Sequence, residues 1–227
     1  ANYTSASASA DLTIGKATPT VEATGGVFDY TGTAHTGTCA VTGVGGADIG
    51  PLAATYTPGP DAPAHAGSYT VNCSYATSTN YEAASDTAAL TIAQVALTLN
   101  VSAADATYTG LAYAGASTCA ASGVNGEQPL TARAFKQGSI ALGGAPTNAG
   151  SYTLECTAGG TDTNYLANSS SVSFTIQQAT LTIYVSAADA IYSGAPYAAA
   201  TTCTADGVNG EHPLTTRTFK SGSETLP

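Results

Sequence analysis

The sequence predicts an all-β chain built from tandem sandwich units, and three observations carry that prediction. Short motifs recur at fixed lags: Asn2-Tyr3, Asn80-Tyr81 and Asn164-Tyr165 lie 78 and 84 residues apart, as do Tyr30-Thr31-Gly32, Tyr108-Thr109-Gly110 and Tyr192-Ser193-Gly194. Apolar and polar residues alternate with period two in segments rich in Thr, Val, Ile and Tyr, which is the pattern of strands with one buried face. Gly and Pro interrupt every few residues, and no stretch carries a helical period. Short strands with frequent turn signals describe a β-sandwich, and repetition at a fixed lag describes an array of like units.

Over 227 residues the period yields two whole copies and two partial ones. Residues 1–16 read as the closing strand of a preceding unit. Residues 17–93 and 94–177 read as complete units, and residues 178–227 as the N-terminal part of a further, truncated unit. Each unit opens on a strand, at Pro19–Val21, Leu97–Val101 and Leu181–Val185. Next comes a strand bearing an early cysteine, where Cys39 alternates with Val41 and Cys119 with Ala121. A later strand places Tyr69, Val71, Cys73 and Tyr75 on one face, and its counterpart places Tyr152, Leu154 and Cys156. Each unit closes on an alternating strand, at Leu12-Thr13-Ile14, Leu90-Thr91-Ile92 and Phe174-Thr175-Ile176. The joints Gly15-Lys16-Ala17, Ala93-Gln94-Val95 and Gln177-Gln178-Ala179 are short and are not flexible linkers of the Gly/Ser or Pro-rich kind. We therefore expect units joined head to tail in a stiff rod. The ends fall out of phase with the period, so the expected picture is a window of a longer array. Leu226-Pro227 aligns with Leu142-Gly143, and the strand carrying the partner of Cys203 is expected beyond it.

The five cysteines follow the same period. Cys39, Cys119 and Cys203 are early, and Cys73 and Cys156 are late. One disulfide per unit, Cys39–Cys73 and Cys119–Cys156, is the economical reading, with buried free thiols as the alternative. Inward cysteines on different strands suit a bridge across a two-sheet core. Such bridges form in an oxidising compartment, so an extracellular or cell-surface location is expected. No Cys-x-x-Cys or neighbouring His pair suggests a metal site.

Only 9% of residues are charged, the formal net charge is -10, and the basic residues are Lys16, Arg133, Lys136, Arg217 and Lys220. Nucleic acid and anionic membrane surfaces demand clustered Lys and Arg, so neither is an expected partner. No apolar run is long enough to span a bilayer as a helix, so no membrane insertion is expected.

The segment Ala145–Tyr152, followed by Asn164-Tyr165 and Phe174-Thr175-Ile176, resembles the MBG-type bacterial immunoglobulin-like repeat of large surface proteins and adhesins. The family pattern is matched by Tyr108 and Gly110, then Asn148 to Tyr152, Asn164-Tyr165, Phe174 to Ile176 and Gln178-Ala179. The preceding copy matches at Tyr30, Gly32, Ala66 to Tyr69, Asn80-Tyr81 and Leu90 to Ile92. Together the copies cover nearly the whole chain. The resemblance implies immunoglobulin-like sandwiches and an extracellular role, and it brings no catalytic residues. The cysteine pair departs from the family, whose units we associate with an absence of cysteine.

Candidate sites are few. His35, His65 and His212 do not recur at matching positions, and no pairing resembles a nucleophile–base arrangement. One cluster does recur: Asn125-Gly126-Glu127 followed by Arg133 and Lys136 returns as Asn209-Gly210-Glu211 followed by Arg217 and Lys220. The first unit carries Gly45-Gly46-Ala47 instead. The plain reading is a turn between strands, with Phe135 and Phe219 buried and the charges solvated. The sharper reading is a contact patch of Glu127, Arg133, Lys136, Glu211, Arg217 and Lys220. Asp105 and Asp189 recur near the joints but supply too few oxygens for calcium. Asn2, Asn100 and Asn168 stand in Asn-x-Ser/Thr triplets, which matter only where the source glycosylates them.

These readings lead to a structural extracellular protein, a stalk or filament, with no enzymatic activity and no cofactor. Its expected partners are neighbouring repeats or further copies of itself. An adhesin binding a glycan or another surface ligand is the alternative, and a spacer in a secreted enzyme is the third possibility. There is no Trp to build a glycan-stacking platform.

Overall fold

The computed structural model describes residues 2–197, 200–221 and 223–225, and among these the chain is all-β, with three single-turn 3-10 segments and no α-helix. It divides into two compact units. The first holds the residues up to Leu97 together with the loops Ser122–Pro129 and Gly159–Ala167, and the second holds Thr98–Ala121, Leu130–Ala158 and the residues from Asn168 onward. Packing therefore cuts the chain differently from the sequence period, because two loops of the second sequence copy pack within the first compact unit.

In the first unit the strands are β1 (Thr20–Thr24), β2 (Gly26–Asp29), β3 (Thr38–Thr42), β4 (Thr55–Thr57), β5 (Gly67–Tyr75) and β6 (Ala84–Ala93). β1 and β3 pair antiparallel, with Val21 opposite Val41 and Ala23 opposite Cys39. The second sheet runs β2-β6-β5-β4, with β2 parallel to β6 and the other pairs antiparallel. Alternation along β5 and β6 buries Val71, Cys73, Leu90 and Ile92 with Val41 of β3, while the intervening residues face outward. Each such aliphatic side chain stabilises the fold by about 1.5–3 kcal/mol when fully buried. A disulfide joins Cys39 of β3 to Cys73 of β5 at a Cα separation of 5.6 Å, linking the two sheets covalently.

In the second unit the strands are β7 (Thr98–Ala103), β8 (Ala106–Thr107), β9 (Ser117–Ser122), β10 (Thr131–Gln137), β11 (Ile140–Ala141), β12 (Gly150–Ala158) and β13 (Asn168–Gln177). β7 pairs with β9, and the larger sheet runs β11-β10-β12-β13-β8, with β8 parallel to β13 as β2 is to β6. Tyr152, Leu154, Phe174 and Ile176 form its core, with Val101, Tyr113 and Phe135 packed against them. Cys119 of β9 and Cys156 of β12 form the corresponding disulfide, with Cα atoms 5.5 Å apart. Two-sheet packing with a crossing disulfide is compatible with a β-sandwich. The third copy contributes β14 (Thr182–Ala187) and β15 (Thr201–Asp206), which pair with Val185 opposite Cys203, and the short pair β16 (Lys220–Ser221) and β17 (Glu224–Thr225). The expected alignment at Leu226-Pro227 lies outside the described residues.

Two expectations need correction. Leu12-Thr13-Ile14 was expected as a strand, yet it belongs to none, and Leu12 and Ile14 are more than four-fifths exposed. Its counterparts in β6 and β13 each pair with a Gly-Ser-Tyr strand, β5 and β12 respectively. Phe219 was expected to be buried and is 45% exposed, meeting Tyr197 edge-on at 5.7 Å. Phe135, its counterpart, is sheltered by Phe174 of β13, for which residues 201–225 hold no equivalent.

Candidate functional site

The Asn-Gly-Glu turn and the Tyr-x-Gly loop, singled out separately in the sequence, meet in three dimensions. Inside the first compact unit the chain turns tightly at Val124–Gly126, with the Gly123 amide donating to the Glu127 carbonyl at 2.8 Å and the Glu127 amide to the Val124 carbonyl at 3.0 Å. Asn125 takes φ 51°, a left-handed conformation that Asn tolerates better than most residues. Its side-chain amide is thereby free to donate to the Thr31 carbonyl at 2.8 Å. Gly32, next in that loop, has φ 73°, and a Cβ there would stand 2.8 Å from the Asn125 amide nitrogen. The glycine of the Tyr-x-Gly motif is thus required twice, by its backbone and by the approach of the turn.

Glu127 lies between two tyrosines. The Tyr30 hydroxyl donates to one carboxylate oxygen at 2.8 Å, and the Tyr165 hydroxyl donates to the other. Tyr165 also accepts the Val124 amide at 2.9 Å, so a single hydroxyl holds both the turn backbone and its carboxylate. The two rings meet edge to face at 5.5 Å, and both tyrosines are buried. Donation from Tyr165 and then from Tyr30 holds the Glu127 carboxyl below its usual range. The bond to this carboxylate, with a contribution from burial, pushes Tyr30 up to about 12. Tyr165 is also raised, first by burial and then by Glu127.

The Tyr–Glu and Asn–carbonyl contacts of this arrangement recur within the second compact unit. Tyr108 donates to Glu211 at 2.5 Å, and the Asn209 amide donates to the Thr109 carbonyl at 2.8 Å. A Cβ at Gly110 would again stand 2.8 Å from an Asn209 amide nitrogen. The carboxylate raises Tyr108 as it raises Tyr30.

The Asn-Tyr marker also has a role. The Asn164 carbonyl accepts the Val95 amide at 3.2 Å, the Leu166 amide donates to the Val95 carbonyl at 2.9 Å, and Tyr165 bridges Val95 in parallel. The Asn164 side chain accepts the Ala66 amide at 3.0 Å and lies 3.3 Å from His65 Nδ1. In the first copy Asn80 and Glu82 grip Ala17 through the same backbone pair, and Tyr81 bridges Ala17. The motif therefore pins the residue that leads into an opening strand.

Several of the other candidate residues have local partners. Lys136 pairs with Glu155 on the adjacent strand at 2.8 Å, Arg133 reaches Ser117 at 3.5 Å, and Arg217 reaches Thr201 at 2.6 Å. Lys220 lies in the short β16. Asp105 accepts the Thr175 amide at 2.7 Å, and Asp189 is exposed. His35 stacks on Phe28, and His212 lies 3.1 Å from Asp206. Cys203 is a free thiol. Among the described residues no group of three or more His, Cys, Asp or Glu gathers to hold a metal, and no helix is long and apolar enough to cross a membrane.

The sequence pointed to Glu127 and Glu211 but not to their tyrosine partners, because Tyr30, Tyr108 and Tyr165 stood out only as markers of the repeat. The available signal was that the Asn-Gly-Glu turn follows a Tyr-x-Gly loop by one copy, at Tyr30 to Glu127 and at Tyr108 to Glu211. The site's chemistry is that of attachment. Phenols and amides satisfy a carboxylate and a carbonyl, and no activated nucleophile or poised base stands among them. No protein-family model matches the chain, and no curated protein matches it.

Proposed function

We propose that this chain is a structural, extracellular repeat protein whose immunoglobulin-like units are joined head to tail in a stiff stalk or filament at the cell surface. One observation carries this reading. The repeated motifs Tyr-x-Gly and Asn-Tyr hold turns and joint residues in place at two successive points of the chain. Residues retained at a fixed period for attachment suit an array in which each unit leans on its neighbours. The two disulfides support an oxidising environment. The order of motifs resembling MBG-type repeats of bacterial surface proteins supports the same reading.

Surface labelling and electron microscopy of the native material test it. Continuous fibres whose axial repeat matches whole units are expected of a filament, and tethered rods of a stalk. Recovery of the protein from the cytosol with its cysteines reduced would overturn the reading.

A further inference from the structure

The two carboxylate joints have a directional logic. In each, the loop belongs to the earlier copy and the turn to the later one: Tyr30–Gly32 takes Asn125 and Glu127, and Tyr108–Gly110 takes Asn209 and Glu211. Two half-joints remain without such a partner among the described residues. One is the loop Tyr192-Ser193-Gly194. Gly194 keeps the left-handed φ of 75° seen at Gly32 and Gly110, a Cβ on it would meet open space, and Tyr192 is 94% exposed. The other is the turn Val44-Gly45-Gly46-Ala47. It has the same fold as the later turns, with the Gly43 amide bonded to the Ala47 carbonyl at 2.7 Å and the Val44 amide donating to the Tyr81 hydroxyl at 3.1 Å. It lacks the two side chains that bind, because Gly45 stands for Asn125 and Ala47 for Glu127.

We propose that the Tyr-x-Gly loop and the Asn-Gly-Glu turn are the two halves of a self-recognition joint, and that the open loop at Tyr192–Gly194 takes the Asn-Gly-Glu turn of a further copy of the same unit. The inference rests on the repeat-array reading above and adds its specificity. Asn and Glu of the turn decide which copies can follow which. A turn of the Gly-Gly-Ala kind offers a tyrosine-braced backbone but no amide for the loop carbonyl and no carboxylate for the phenol. Among the described residues the free turn and the free loop are therefore mismatched, and two copies of residues 1–227 gain no carboxylate joint by meeting through them.

Restoring the missing groups tests the idea by gain of function. Gly45 has φ 72° and ψ 14°, close to the φ 51° and ψ 24° of Asn125, so Gly45→Asn meets a backbone that already suits it. In the chain carrying Gly45→Asn with Ala47→Glu, Tyr81 stands ready to hold the new carboxylate as Tyr165 holds Glu127. The expected result is a weight-average mass, by sedimentation equilibrium at high protein concentration, that rises above that of the native chain. Adding Tyr192→Phe should return it to the native value. High concentration is needed because joints within one chain benefit from tethering, on the order of millimolar effective concentration for a short link. A folded double variant with the mass of the native chain would overturn the proposal, as would association that survives Tyr192→Phe.

A loss variant in the native joint guards against misfolding of the first. Asn209→Ala with Glu211→Gln should speed amide exchange at residues 108–110 and 207–211 and leave β5 and β6 protected. Unchanged exchange at both segments would equally overturn the joint. Neither measurement depends on where the protein resides, so loss of the joint leaves the extracellular reading standing, and a cytosolic location would leave the joint standing.

Discussion

At the residue scale, Glu127 links two buried phenols, and its consequences are measurable. The folded pKa of Glu127 is lowered, so its contribution to stability is present above the unfolded carboxyl value and is lost as pH falls through the folded one. Tyr30 has the opposite sense. Its pKa is raised from 10.0 to about 12, so its contribution is complete below the unfolded value and disappears as pH rises from 10.0 toward about 12. We predict that Glu127→Gln lets Tyr30 ionise nearer its ordinary value, read as an earlier rise in phenolate ultraviolet absorbance during an alkaline titration. An unchanged titration curve would show that the carboxylate does not hold that phenol. Tyr165→Phe removes both the acceptor of the Val124 amide and a donor to Glu127. It should cost about 2 kcal/mol in urea unfolding, since each hydrogen bond contributes roughly 1 kcal/mol net. The sequence marked these positions by their periodicity but could not assign their partners. Tyr30 and Glu127 are 97 residues apart, and nothing local says that a tyrosine just past a strand end will donate to a carboxylate one copy later.

At the element scale most of the fold was legible, because alternation and pairing are local in origin. Val71 and Cys73 on β5, and Leu154 and Cys156 on β12, are fully or nearly fully buried where period two places them inward. The repeated cysteine spacing corresponds to the bridges β3–β5 and β9–β12. Alternation alone does not make a strand. Leu12-Thr13-Ile14 carries the pattern of β6 and β13, and its apolar residues remain exposed. The disulfides lead to a prediction at this scale. Cys39→Ser with Cys73→Ser should lower stability by about 2–5 kcal/mol, the range for removing a native disulfide from a small domain. Differential scanning calorimetry of the variant beside the parent reads it. A shift confined to the transition containing β1 to β6 is expected, and a parent-like thermogram would show that the bridge adds nothing to the packing of Val41, Val71 and Leu90.

At the scale of the whole molecule, composition and period bear on the proposed array. Charged residues are only 9% of the chain and its net charge is -10. The proposed head-to-tail rod makes a quantitative claim that follows from the period and the short joints. A compact chain of this length has a radius of gyration of about 17 Å. Strands covering about 33 Å per ten residues give each copy a length of a few nanometres, so nearly three copies end to end reach roughly 100 Å and a radius of gyration near 30 Å. Small-angle X-ray scattering separates the two values cleanly. A single-chain rod also gives a radius of gyration and a forward scattering per unit mass that stay constant while the concentration is varied, which distinguishes it from a chain lengthened by association. A measured value near the compact one would overturn the rod and leave the individual sandwiches untouched. A value near the longer one that fell when Glu127→Gln and Glu211→Gln were combined would assign the stiffness to the carboxylate joints themselves.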